Sequence, residues 1–124
     1  MLRRQGDIEV VGQAGSGREA FDMARKLRPD LILLDMSMPD GGMQALREIK
    51  MLEDPPIVAM LTVSENEDLV IEAIRLGADG YILKGIGGRS LMSGIRELLA
   101  GRPYMSSDLA GKILKAREKK GHAA

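Results

Sequence analysis

The chain has 124 residues and a mass of 13.5 kDa, which fits one globular domain. Its 44% hydrophobic and 29% charged residues exclude a disordered segment, and 18 basic residues balance 18 acidic ones. The absence of cysteine and the single histidine exclude disulfides, thiolate metal sites and His-based triads. Without an apolar run of membrane-spanning length or a signal-peptide core, we expect a soluble cytoplasmic protein.

Short apolar runs alternate along the chain with segments of helical periodicity. The run Ile8–Ala14 is rich in β-branched residues and ends at a Gly-Ser-Gly turn, which predicts a strand. Arg18–Arg28 places its apolar side chains on one helical face, and Pro29 follows this predicted helix. The unbroken run Leu31–Leu34 is typical of a strand buried on both faces of a parallel sheet, and Met43–Leu52 predicts the next helix.

The same alternation continues through the second half of the chain. Ile57–Leu61 predicts a buried strand, Asn66–Leu76 a helix and Gly80–Leu83 a further strand. A glycine-rich loop then precedes a predicted helix over Ser90–Ala100, and a last, lysine-rich helix is predicted over Ser107–Lys120. Strand–helix units in this order imply right-handed crossovers, so the predicted fold class is α/β with a doubly wound parallel sheet.

Polar residues follow three of these predicted strands. Asp35 comes after LILL, Thr62 after IVAML and Lys84 after GYIL. Because the carboxyl ends of parallel strands meet at one rim, where ligands bind in open α/β sheets, we expect the three side chains to converge. A carboxylate flanked by a hydroxyl and an ammonium group fits phosphoryl chemistry, since the carboxylate can attack phosphorus and the other groups can bind phosphoryl oxygens. The structural alternative is a loop-capping Asp35 and a solvated Lys84.

The segments LLDMSMPDGG, MLTVSENED and GADGYILKG carry these residues, and together they resemble the receiver domain of bacterial two-component response regulators. IEVVGQAGSGREAFDMARKLRPDLILLDMSMP is similar to the NarL/FixJ-like branch, whose receivers precede a LuxR-type helix-turn-helix. The resemblance implies a flavodoxin-like (CheY-like) receiver fold over residues 1–105. Residues 106–124 would then form a C-terminal helix or linker toward an effector domain that the chain lacks.

The resemblance implies a role for each residue that matches the family pattern. Asp35 corresponds to the phosphoacceptor, Thr62 to the switch hydroxyl and Lys84 to the lysine that pairs with the phosphate. Tyr81 corresponds to the aromatic switch, and the backbone carbonyl of Ser37 to a main-chain Mg²⁺ ligand beside Asp35.

The implied function is that of a phosphoacceptor and not of a conventional enzyme, since a receiver catalyses only its own phosphoryl transfer and dephosphorylation. The phosphoryl group would come from a sensor histidine kinase, Mg²⁺ would be the cofactor, and the output would be a process such as transcription. Pro39 would shape the loop after the acceptor. DNA contact is expected only through the absent effector domain, no membrane contact is expected, and a homodimer through the face of Arg89 and Arg96 stays open.

The N-terminus departs from the family pattern. Receivers begin with an apolar strand that ends in two acids, followed by a helix, whereas Met-Leu-Arg-Arg-Gln resembles the end of that helix. We therefore expect an N-terminally truncated fold without the first strand, most of the first helix and the acidic pair that would hold Mg²⁺. Ile8–Ala14 would then lack the strand that joins it to Leu31–Asp35. A misplaced or trimmed start, a short protein that borrows a strand and a degenerate gene product are the open explanations.

Two functions from different classes stay open. The presence of Asp35, Thr62, Tyr81 and Lys84 favours the phosphoacceptor, while the missing acidic pair favours a non-phosphorylated, receiver-like protein-interaction module. A nucleotide-binding enzyme of similar architecture is disfavoured, because the turn Gly15–Gly17 lacks a third glycine at the spacing that such a loop needs.

Overall fold

A computed structural model describes residues 8–37, 42–63, 67–85 and 87–105. Within them the strands form one parallel sheet in the order β1-β2-β3-β4, and helices connect them. This arrangement confirms the predicted α/β parallel fold. The elements are α1 (Gly17–Leu27), β1 (Leu31–Asp35), α2 (Gly42–Lys50), β2 (Ile57–Thr62), α3 (Glu67–Arg75), β3 (Gly80–Leu83), α4 (Gly88–Leu99) and β4 (Tyr104–Met105).

Helices cover both faces of the sheet. On one face, Leu34, Met60 and Tyr81 are buried in a core that includes apolar residues of α1, α2 and α3. On the other face, Ile82 packs in a smaller core with Leu98 of α4. Because successive strand residues point to opposite faces, a sheet covered on both sides requires apolar residues at every strand position. This explains the unbroken apolar runs in the sequence.

The ends of α1 show how local chemistry sets the helix bounds. The Glu19 N–H donates to Ser16 Oγ at 3.1 Å, which caps the first turn and starts the helix one residue before the predicted Arg18. The helix ends at Leu27, and it is capped by Arg28, whose φ of 48° lies in the left-handed region and whose N–H donates to the Ala24 carbonyl. Among the described helices, none is long and apolar enough to cross a bilayer.

Two parts of the sheet differ from the sequence-based prediction. The strand predicted over Ile8–Ala14 is wrong, because only Ile8 forms an isolated bridge and residues 9–14 are irregular. An extended segment needs the edge of another strand for its hydrogen bonds, and residues 9–14 join no strand of the described sheet. Conversely, the two-residue strand β4, which pairs with Gly80 and Tyr81, was not predicted. The predicted helix Ser107–Lys120 lies outside the described residues.

Candidate functional site

The carboxyl ends of β1, β2 and β3 lie side by side at one rim of the sheet. Asp35 is the last residue of β1, Thr62 is the last residue of β2, and Lys84 follows β3 directly. Two backbone hydrogen bonds continue the parallel ladder past these ends. The Met36 N–H donates to the Leu61 carbonyl at 2.9 Å, and the Lys84 N–H donates to the Thr62 carbonyl at 2.7 Å. The sheet thereby brings the three sequence-predicted residues to the same rim.

Both carboxylate oxygens of Asp35 accept hydrogen bonds. Lys84 Nζ lies 2.6 Å from Oδ2, while the Ser37 N–H and the Ser37 hydroxyl donate to Oδ1 at 2.8 and 2.7 Å. Lys84 Nζ also donates to Ser37 Oγ at 3.4 Å, so the three side chains form a closed ring. The side chain of Asp35 is 36% exposed, which leaves the carboxylate open to a reactant from solvent.

The environment lowers the pKa of Asp35 below its usual value. Burial acts in the opposite direction and raises this pKa, because it penalises the charged form. The hydrogen bonds from Lys84 and Ser37 and the positive charge of Lys84 stabilise the carboxylate and together outweigh the effect of burial. Asp35 is therefore ionised at neutral pH, which is the form in which a carboxylate attacks phosphorus.

Thr62 and Tyr81 lie in the interior next to this rim. Thr62 is 4% exposed and Tyr81 is fully buried. The Tyr81 hydroxyl donates to the thioether sulfur of Met36 at 3.1 Å, and the Thr62 hydroxyl also hydrogen-bonds to the phenol. Burial raises the pKa of Tyr81, while the hydrogen bond from Thr62 acts in the opposite direction. The phenol therefore stays neutral and keeps its proton for donation.

Two sets of contacts in this geometry were not predicted from the sequence. Ser37 was predicted only as a Mg²⁺ ligand through its backbone carbonyl, which stays a prediction, and its N–H and hydroxyl donate to Asp35. The Asp-x-Ser spacing permits an Asx turn and is a signal that predicts the N–H contact. No sequence pattern predicts the contact between Met36 and Tyr81. Pro39 lies outside the described residues.

Receiver domains typically bind Mg²⁺, so the oxygen donors near Asp35 bear on this cofactor. The described residues supply the Asp35 carboxylate and the Ser37 carbonyl, and they contain no group of three or more His, Cys, Asp or Glu side chains that could hold a metal ion. Both Asp35 oxygens are already engaged by Lys84 and Ser37. These residues by themselves do not fit a Mg²⁺ site.

Sequence comparisons identify the proteins that this chain resembles. The profile of the family described as "Response regulator receiver domain" matches residues 1–96. "Response regulator GacA" of Pseudomonas aeruginosa is 35% identical over 107 residues, which cover 86% of this chain and 50% of the relative. "Transcriptional regulatory protein YdfI" of Bacillus subtilis is 34% identical over 114 residues, which cover 91% of this chain and 53% of that protein. The chain thus spans about half the length of these curated relatives.

Solved structures show the same relationship. A two-component response regulator of the LuxR family from Aurantimonas matches with a TM-score of 0.82 at 31% identity, over 88% of this chain and 79% of the other. The signal receiver domain of NarL from Mycobacterium tuberculosis matches with a TM-score of 0.75 at 28% identity, over 78% of this chain and 79% of the other. The rim with Asp35, Thr62 and Lys84 lies within the residues that the family profile covers.

Proposed function

This chain belongs to the response regulator receiver family, and on that premise we propose that it is a phosphoacceptor that takes a phosphoryl group onto Asp35 from a sensor histidine kinase. The observation that carries the proposal is the ionised Asp35 carboxylate, exposed at the rim of the sheet with Lys84 Nζ at 2.6 Å. The family is not one of conventional enzymes. The chain supplies the nucleophile and its electrostatic surroundings, and the kinase supplies the phosphoryl group.

The chemistry assigned to these residues is a phosphoryl transfer. An oxygen of the Asp35 carboxylate attacks phosphorus, an O–P bond forms, and the N–P bond of the kinase phosphohistidine breaks. The electron pair of that bond returns to the imidazole nitrogen, which takes a proton from solvent. Lys84 is already at the carboxylate and pairs with the oxygens of the incoming phosphoryl group, where a fixed positive charge lowers the barrier.

The proposed output is a change at the surface that follows the rearrangement of Thr62 and Tyr81. Thr62 turns its hydroxyl toward a phosphoryl oxygen and thereby gives up its hydrogen bond to the Tyr81 phenol. Because Tyr81 is a fully buried part of the core against α1, α2 and α3, a change in its partners is transmitted to packed elements. The name of the relative YdfI supports transcription as the process that such a change controls.

The test is the intact mass of the chain after incubation with acetyl phosphate and Mg²⁺. We expect a mass gain of one phosphoryl group, which is absent in Asp35→Ala and retained in Asp30→Ala, a matched control immediately before β1. Absence of the gain in a sample that circular dichroism shows to be folded would refute the phosphoacceptor. That outcome would support the second candidate, a non-phosphorylated interaction module. This second candidate is favoured by the described residues, which contain no group of three or more His, Cys, Asp or Glu side chains that could hold a metal ion.

A further inference from the structure

The hydroxyl of Tyr81 has two partners, and their directions can be assigned. A phenol has a single O–H to donate, and Tyr81 donates it to Met36 Sδ at 3.1 Å. The Thr62 hydroxyl must therefore be the donor in its own hydrogen bond to the phenol oxygen. The hydrogen bonds thus run from Thr62 to Tyr81 and from Tyr81 to Met36.

The backbone of Met36 is held in place on two sides. Its N–H donates to the Leu61 carbonyl of β2 at 2.9 Å. On the other side, its Cα lies 3.0 Å from the point where a Cβ on Gly42 would stand, so the start of α2 packs directly against it. The backbone from which the Met36 side chain reaches Tyr81 is therefore held between β2 and the start of α2.

We propose that Met36 is a positioning residue for Tyr81: its thioether sulfur accepts the phenol hydrogen bond and holds the ring in the buried orientation in the unphosphorylated chain. This role goes beyond the proposed function and does not depend on it. Thioether sulfur is a weak acceptor, but here it is the partner that receives the only proton of a fully buried phenol. An unpaired buried hydroxyl is costly, so the ring stays where the acceptor is.

The test uses Tyr104→Phe as the parent, because this leaves Tyr81 as the only tyrosine in a chain without tryptophan. Met36→Leu keeps the side-chain volume and removes the acceptor, Met36→Gln replaces the sulfur with an amide oxygen of similar reach, and Met51→Leu changes a methionine that is 77% exposed. Two properties are measured without phosphorylation: the intensity ratio of the tyrosine Raman doublet, which reports whether the phenol donates, and quenching of tyrosine fluorescence by acrylamide.

We expect Met36→Leu to lose the donor signature and to show a higher quenching constant than the parent, Met36→Gln to restore both, and Met51→Leu to leave both unchanged. Unchanged spectra in Met36→Leu would overturn the proposal. The proposal would also be overturned if Met36→Leu and Met36→Gln lost the donor signature to the same extent, because the effect would then come from altered packing and not from the missing acceptor. If Met36→Leu does not fold, Met36→Ile replaces it with the same expectations. A negative mass test on Asp35 leaves these results unaffected, so the two proposals fail independently.

Discussion

The ammonium group of Lys84 lies 2.6 Å from Asp35 Oδ2, although the two residues are 49 positions apart in the chain. Their approach follows from the register of the parallel sheet. The hydrogen bonds from Met36 to Leu61 and from Lys84 to Thr62 extend the ladder on both sides of β2 and place the two side chains across its end. A positive charge is therefore in position at the carboxylate before any reactant arrives.

The first prediction concerns the titration of Asp35. Lys84→Met removes both a hydrogen bond and a positive charge, so the pKa of Asp35 should rise, as measured by NMR of its carboxyl carbon. Because the folded-state pKa is lowered, the ion pair stabilises the fold above the unfolded-state pKa of about 4, and this contribution is lost as the pH falls through the folded-state value. The difference in unfolding free energy between the two proteins should therefore be constant at neutral pH and disappear in acid.

The control for this titration is Lys26→Met, which removes a positive charge from the exposed side of α1. It should leave the titration of Asp35 unchanged. An equal rise of the Asp35 pKa in both variants would show that net charge, and not the contact with Lys84, lowers it.

A second prediction separates the contributions of Ser37 to the same carboxylate. Ser37→Ala removes the hydroxyl bond of 2.7 Å to Asp35 Oδ1 but keeps the backbone N–H bond of 2.8 Å. The pKa of Asp35 should rise less than in Lys84→Met, because the lysine hydrogen bond and charge remain. Ser37→Thr retains a hydroxyl and should preserve the titration. A larger rise in Ser37→Ala than in Lys84→Met would contradict the order of these effects.

A third prediction concerns the contact between α2 and the rim. A Cβ on Gly42 would stand 2.8 Å from the Asp35 carbonyl oxygen and 3.0 Å from Met36 Cα, and these backbone atoms cannot rotate away. Gly42→Ala should lower the free energy of unfolding in urea by about 1–3 kcal/mol, the usual cost of overpacking. It should also shift the carboxyl resonance of Asp35, because α2 or the end of β1 has to move.

Gly88→Ala provides the matched control for Gly42→Ala. Gly88 is also the first residue of a helix, and a Cβ there has no neighbour within 4 Å. This variant should be neutral or more stable by up to about 1 kcal/mol, because alanine favours the helix. Equal destabilisation of the two variants would mean that loss of glycine freedom, and not the clash, explains the effect.

A fourth prediction concerns the opposite end of the sheet, where Lys50 and Asp79 form an ion pair. Lys50 Nζ lies 2.9 Å from Asp79 Oδ2 and 3.0 Å from the Pro56 carbonyl, and Asp79 Oδ2 also accepts from the Val58 N–H at 3.0 Å. Asp79→Ala leaves the Val58 N–H without this acceptor and Lys50 without its counter-ion. The free energy of unfolding in urea should fall by about 1–3 kcal/mol.

Two further variants test whether the acceptor role of Asp79 explains that loss. Asp79→Asn keeps an oxygen for the Val58 N–H and should cost less than Asp79→Ala. Glu72→Gln weakens an exposed contact with Arg75 at 4.0 Å and should change stability by less than about 0.5 kcal/mol. If Glu72→Gln proves as costly as Asp79→Ala, the position of the Lys50–Asp79 pair at the sheet would have no special importance.

Several features of the fold were determined by the sequence alone. The strands β1, β2 and β3 and the helices α1 to α4 lie within two residues of their predicted bounds. A strand covered on both faces has an unbroken apolar run, and an amphipathic helix has apolar residues at helical spacing. Both patterns can be recognised from the local sequence alone. The position of Asp35, Thr62 and Lys84 at one rim also follows, because alternating strands and helices make the sheet parallel and put all its carboxyl ends on one side.

Which of these local segments pair with a strand depends on the arrangement of the whole chain. The segment 9–14 has a strand-like composition but pairs with no strand of the described sheet, while the two residues of β4 form a strand because they pair with the edge of β3. The same holds for the polar contacts, which depend on the distances between individual atoms. Examples are the hydrogen bonds of the Ser37 hydroxyl with Lys84 and Asp35, the ion pair of Lys50 with Asp79 and the hydrogen bond from Tyr81 to Met36. Most of these distances join residues far apart in the chain, and a local pattern of apolar and polar residues contains no information about them.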